Sequence, residues 1–127
     1  MTAPNADLAW RVLDHIDAHP EQHNQKSWVS RPDGADCGTA ACFAGWTCLL
    51  SGDKPAWEFQ ADEETDRVTV DGRYDDHVAY RAAGLLGIYY HGAELNRGHL
   101  FDPENDRLRL GELVADIFGP RPDGGGQ

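Results

Sequence analysis

Two thiols, Cys37 and Cys42, stand in the small-residue stretch Asp36-Cys37-Gly38-Thr39-Ala40-Ala41-Cys42-Phe43-Ala44-Gly45-Trp46, where a loop runs into a helix. A thiol at a helix N-terminus meets free backbone N–H groups and the positive end of the helix dipole, and both favour the thiolate. His77 can serve such a thiolate as its base, and Gln25 can offer an oxyanion donor. The corresponding chemistry is that of a cysteine-dependent hydrolase built on Cys37 or Cys42 with His77. The same residues have a structural reading. Free cysteine is among the most buried residue types, and glycine and alanine let other parts of a chain approach closely. On that reading Asp36, Cys37, Gly38, Thr39, Cys42, Gly45 and Trp46 form a packing motif without catalytic residues, and it is the one adopted here.

Metal chemistry has weaker support. Zinc needs about four converging N, O or S ligands. The six histidines are dispersed, and Pro20 separates His23 from the helical pair His15 and His19. Asp102, Glu104 and Asp106 imitate the start of a calcium loop, but Arg107 and Leu113 stand where that loop needs Gly and Glu. There is no glycine-rich phosphate loop. No metal and no cofactor are expected.

The chain has 127 residues, with 40% hydrophobic and 26% charged content, which suits one folded domain. Its formal net charge is −11. A surface of that sign repels nucleic acid and anionic lipid, so direct nucleic-acid binding is not expected. Either the charge serves solubility or it attracts a basic protein partner. No apolar run approaches the roughly 20 residues of a membrane span, and the N-terminus lacks the basic start and apolar core of a signal peptide. A cytoplasmic protein with no membrane association is expected. Three cysteines in a cytoplasmic context argue against a disulfide framework; one pair can still bridge, and the odd number leaves at least one thiol free.

These residues need a scaffold. A helix is predicted over 5–19, capped by Asn5 or Asp7, with Leu8, Val12 and Ile16 in register and Pro20 as its stop. Ser27-Trp28-Val29 reads as a short extended piece. The second helix is predicted from Thr39 as N-cap to Ser51, with Gly52 beyond it. Ala41, Gly45 and Cys48 lie along it as a stripe of small side chains. Gly45 and Gly84 each cost about 1 kcal/mol against alanine in a helix, which close packing between the second and third helices would offset. Trp57 and Phe59, then Val68 and Val70, alternate with polar residues and predict two short strands joined by the acidic segment 62–66. Asp71-Gly72 marks a tight turn. A third helix is predicted from about 75 to Gly87, a short one over 91–100, and a last one over 107–118 that Gly119-Pro120 ends. The four tryptophans read as core or rim. Tyr89, Tyr90 and His91 form the candidate contact patch, since tyrosine is favoured in interfaces. The result is an α+β single domain over 1–119, with four to five helices and a short antiparallel β-hairpin, followed by a disordered Pro/Gly tail over 120–127.

The order helix, Cys-Gly-Thr-x-x-Cys-x-Ala-Gly helix, short strands, Arg81-Ala82-Ala83-Gly84-Leu85-Leu86-Gly87 and Leu100-Phe101 resembles a group of small hypothetical proteins of actinobacteria and their bacteriophages. The resemblance covers roughly residues 8–119. It implies a setting, that of a phage or mobile-element accessory protein in the host cytoplasm or a host protein of similar kind, and supplies no catalytic residues. The Asp36-Cys37-Gly38 start is also similar to that of the bacteriocin-processing cysteine peptidases. There a His-aromatic-Val strand supplies the base, whereas His77-Val78-Ala79-Tyr80 reads as a helix start. The expected function is a non-enzymatic protein–protein interaction module, with homodimerisation through the small stripe and the tyrosine patch left open.

Overall fold

The computed structural model describes residues 5–31, 39–57, 64–88 and 100–121. Its elements, in chain order, are α1 (Ala6–Ala18), β1 (Val29–Ser30), β2 (Ala40–Ala41), α2 (Phe43–Leu50), β3 (Lys54–Pro55), β4 (Glu64–Thr65), β5 (Arg67–Val70), β6 (Tyr74–His77), α3 (Val78–Leu86) and α4 (Arg107–Phe118). Among the described residues, four α-helices thus accompany two three-stranded antiparallel sheets, ordered β2-β1-β4 and β3-β5-β6. This is an α+β fold. The chain crosses from one sheet to the other at Asp66, between β4 and β5.

Helix α1 starts where the Asn5 side chain accepts from the Leu8 N–H at 3.1 Å. It stops before Pro20, which opens a single 3-10 turn over Pro20–Gln22. Leu8, Ala9, Val12, Leu13 and Ile16 form its buried face, as their spacing predicts. Helix α4 occupies the predicted residues, with Asp106 accepting from the Arg109 N–H at 2.8 Å and Gly119 turning the chain away at φ 85°. Leu110, Leu113 and Val114 bury its apolar face. Helix α2 is apolar all round and buried from Phe43 to Cys48, which makes it the centre of the core. No helix among the described residues is long and apolar enough to cross a membrane.

The structure departs from the expected elements in three places. Helix α2 begins at Phe43 and not after Thr39, because Ala40 and Ala41 are extended and pair with Ser30 and Val29. Helix α3 begins at Val78 and not near 75. Asp71 and Gly72 both take left-handed φ values, 55° and 67°, and the Arg73 N–H closes the turn on the Val70 carbonyl. A turn of that hand carries the chain straight back along β5, so 74–77 become strand. The third departure is at the sheets: β5 pairs on its other side with β3, ahead of the predicted Trp57–Phe59 strand, and the end of the acidic segment joins β1 in the other sheet. Residues 58–63, residues 91–99 of the short helix predicted over 91–100 and the tail from 122 lie outside the described residues. Arg121, assigned from sequence to the tail, is docked on α1. It binds Asp14 through both guanidinium nitrogens at 2.7 and 2.8 Å and lies 4.8 Å from the centre of the Trp10 ring.

The second and third helices of the prediction, α2 and α3, do pack against each other, but not through the glycines. A Cβ on Gly45 would lie 2.0 Å from the Trp28 carbonyl oxygen, so the close approach comes from the backbone leading into β1. A Cβ on Gly84 would meet nothing within 4 Å.

The imidazole of His15 packs at a tilt against Trp46 at 4.2 Å and His19 at 4.7 Å between ring centres, with its Nε2 3.2 Å from the Gln22 side-chain oxygen. Burial lowers its pKa below the ordinary 6.5, outweighing the opposing Gln22 hydrogen bond. The unfolded chain therefore binds this proton more readily than the folded one. The stability His15 contributes is present above about pH 6.5 and is lost as the pH falls below that value. His15→Phe is expected to flatten the wild-type loss of stability between neutral and mildly acidic pH, measured by urea unfolding at each pH. A wild-type slope retained in the variant would contradict this.

Candidate functional site

Cys42 stands where β2 ends and α2 begins. Its Sγ accepts from the Gly45 N–H at 3.4 Å, so the thiol caps the helix, and it donates to the Trp28 carbonyl at 3.8 Å. The residue is 1% exposed, and burial pushes its thiol pKa up to about 11 against the opposing backbone hydrogen bonds. A helix N-terminus would lower that pKa on a solvated thiol, but here desolvation prevails. Cys48 is also buried and free, and burial raises its pKa as well.

The other residues of the hydrolase reading do not converge on Cys42. His77 caps α3: its Nδ1 accepts from the Ala79 N–H at 3.0 Å, and its Nε2 faces Asp66 at 3.7 Å. Gln25 lines a small pocket with Cys42, but its side chain is fully engaged. Its oxygen accepts from the Phe43 N–H at 3.1 Å and meets His23 Nε2 at 2.9 Å, while its nitrogen donates to the carbonyls of Leu100 and Asp102. It fastens the segment before α4 to the start of α2. Trp46 is core, with its indole N–H donated to the Gln22 carbonyl at 2.7 Å. Thr39 is half-buried just ahead of β2. Asp36, Cys37 and Gly38 of the motif, and the Tyr89, Tyr90 and His91 patch, lie outside the described residues.

Cys42 and Cys48 are accordingly expected to resist a water-soluble thiol reagent in the native protein and to react once denaturant is added. Peptide mapping by mass spectrometry resolves each residue. Native labelling of Cys42 at the rate of a free thiol would contradict the packing role.

The surface offers a different kind of site. An open cleft of about 960 Å³ runs between the two sheets, with Trp28, Trp57, Glu64, Asp66, Arg67 and Asp75 among its lining residues. Strand parity explains the composition of its wall. Val68 and Val70 point into the core, so Arg67 and Thr69, with their cross-strand partners His77 and Asp75, occupy the opposite face. Trp28 and Trp57 are half-buried and pack against the core. The Trp28 ring meets the His77 ring edge-on at 5.2 Å, and Arg31 lies 4.0 Å over the Trp57 ring. Three carboxylates, Glu64, Asp66 and Asp75, face two cations, Lys26 and Arg67. Lys26 leans to Glu104 at 3.4 Å, and Arg67 donates to the Asp75 carbonyl at 3.2 Å. Among the described residues Glu64 and Asp75 form no salt bridge; the Asp75 carboxylate accepts the Thr69 hydroxyl at 2.8 Å. Lys54, opposite Thr69 on the outer strand, does not line the cleft. The lining carboxylates therefore outnumber the cations, and the charge of the cleft lining is negative.

A second open cleft, of about 930 Å³, lies beside α1. Its charges balance: Arg121 is held by Asp14, and Arg11 donates to the Leu50 carbonyl at 2.8 Å.

Sequence reasoning placed Trp28 and Trp57 at the core or rim and had no means of joining them. The only available signal was the pairing of a lone tryptophan with an extended segment in each case. Set against protein-family models, curated proteins and solved structures, the chain matches none.

Proposed function

We propose that this protein is a non-enzymatic protein–protein interaction module that takes a basic segment of its partner in the cleft between the sheets. The observation that carries this reading is the pairing of two half-buried tryptophans with three carboxylates in one open cleft. Aromatic walls supply contact area at low entropic cost, and carboxylates select for positive charge. The net charge of −11 adds a long-range field that steers a basic partner to the surface. The resemblance to small phage proteins adds the setting, an accessory protein of a phage or mobile element acting on a host protein.

A short oligolysine peptide, titrated while tryptophan fluorescence is followed, tests the reading. Saturable binding is expected, absent for an oligoglutamate control and weakened several-fold in Asp66→Asn and Glu64→Gln, neither of which removes a core group. Binding that does not saturate, or that both variants leave unchanged, would overturn it.

A further inference from the structure

We infer that the cleft is selective for arginine: the partner segment it takes carries an arginine whose guanidinium stacks on Trp28 and pairs with Asp66. This rests on the reading of the cleft as a site for a basic partner and names the side chain that is read.

The fold shows the required combination in use on its own chain. At α1, Trp10 and Asp14 hold Arg121, the ring 4.8 Å from the guanidinium carbon and the carboxylate binding both nitrogens. Arg31, buried and outside the cleft lining, lies over the Trp57 ring at 4.0 Å. Trp28 and Asp66 repeat the pairing within the cleft. Both line the cleft, and His77 touches each of them, its ring 5.2 Å from the Trp28 ring and its Nε2 3.7 Å from the Asp66 carboxylate, so that carboxylate sits about one side chain away from the indole. Asp66 is exposed, and its only ion pair among the described residues is with that histidine. A guanidinium is planar, weakly hydrated and forked, so it can lie on an indole and reach a carboxylate together. A lysine ammonium is a strongly hydrated point charge and gains only the second contact. Glu64 and Asp75 supply negative charge to the rest of the segment.

The test uses the full chain and three peptides matched in length and sequence, carrying arginine, lysine or citrulline at the same positions. Affinities are measured by fluorescence anisotropy at fixed salt. The arginine peptide is expected to bind roughly tenfold more tightly than the lysine peptide, with citrulline weakest because it keeps the shape and loses the charge. Trp28→Leu is expected to bring arginine down to the lysine level, and Asp66→Asn to weaken arginine most. Far-UV circular dichroism confirms that each variant is folded. Since Trp28→Leu removes a half-buried side chain, Asp66→Asn alone is decisive if the tryptophan variant fails to fold. Equal affinity for arginine and lysine, both above citrulline, would overturn the arginine preference and leave the basic-partner reading intact. No binding of either charged peptide would overturn both.

Discussion

Gly45→Ala is expected to destabilise the fold by about 3 kcal/mol, the upper end of the range for overpacking a core. The added methyl would stand 2.0 Å from the Trp28 carbonyl oxygen and 2.7 Å from the Ala41 Cβ. Neither neighbour can swing aside. Ala41 is paired with Val29 in the sheet, and the Trp28 carbonyl accepts the Cys42 thiol. Relief would require β1 to move off α2, which would disturb Cys42, the cap of that helix. Gly84→Ala is the matched control. That position is exposed within α3, and a methyl there meets nothing within 4 Å. The substitution should stabilise the protein by up to about 1 kcal/mol through helix propensity alone. Urea unfolding of both variants measures the contrast. A Gly45→Ala midpoint close to wild type would show that β1 and α2 are not locked together.

Arg81→Met is expected to cost about 3 kcal/mol, because it strands a buried carboxylate. Asp53 has a side chain only 3% exposed and receives both guanidinium contacts of Arg81, at 2.7 and 3.1 Å. The pair ties the loop after α2 to α3, and the hydrogen bond from Arg81 to Asp53 raises the arginine pKa, so the cation is present at every accessible pH. The variant leaves Asp53 charged without a partner or protonated in an apolar setting. Adding Asp53→Leu removes the stranded group and should restore much of the lost stability, as apolar replacements of buried pairs commonly do. Chemical unfolding of the two single variants and the double variant forms the cycle. A double variant less stable than Arg81→Met would mean that the pair stabilises the fold by more than avoiding its own desolvation.

The elements legible in the chain were those whose signals are local. Asn5 capping α1, Pro20 ending it, the Asp71-Gly72 turn, Gly87 closing α3 and the span of α4 all follow from caps, left-handed residues and helical spacing. The boundaries that moved were set by pairing at a distance. Ala40 and Ala41 have helix-forming side chains, yet β1 takes them as a strand edge, and the backbone of 74–77 follows β5 although Asp75 and Asp76 suggest the first turn of a helix. Gly45 and Gly84 look alike in sequence; only the chain passing at Trp28 gives the first a steric role and leaves the second in open space.

The candidate site divides in the same way. Sequence alone determined the acidic charge, the α+β class and the central buried helix beside two cysteines, because composition and periodicity encode them. Whether Cys42 is a nucleophile or a cap could not be read there. The same helix N-terminus activates a solvated thiol and fails to activate a desolvated one, and burial is a property of the packed whole. The joining of Trp28, from before β1, to Asp66, from the crossover between sheets, was likewise decided by tertiary structure, since strand register rather than sequence distance sets which side chains share a face.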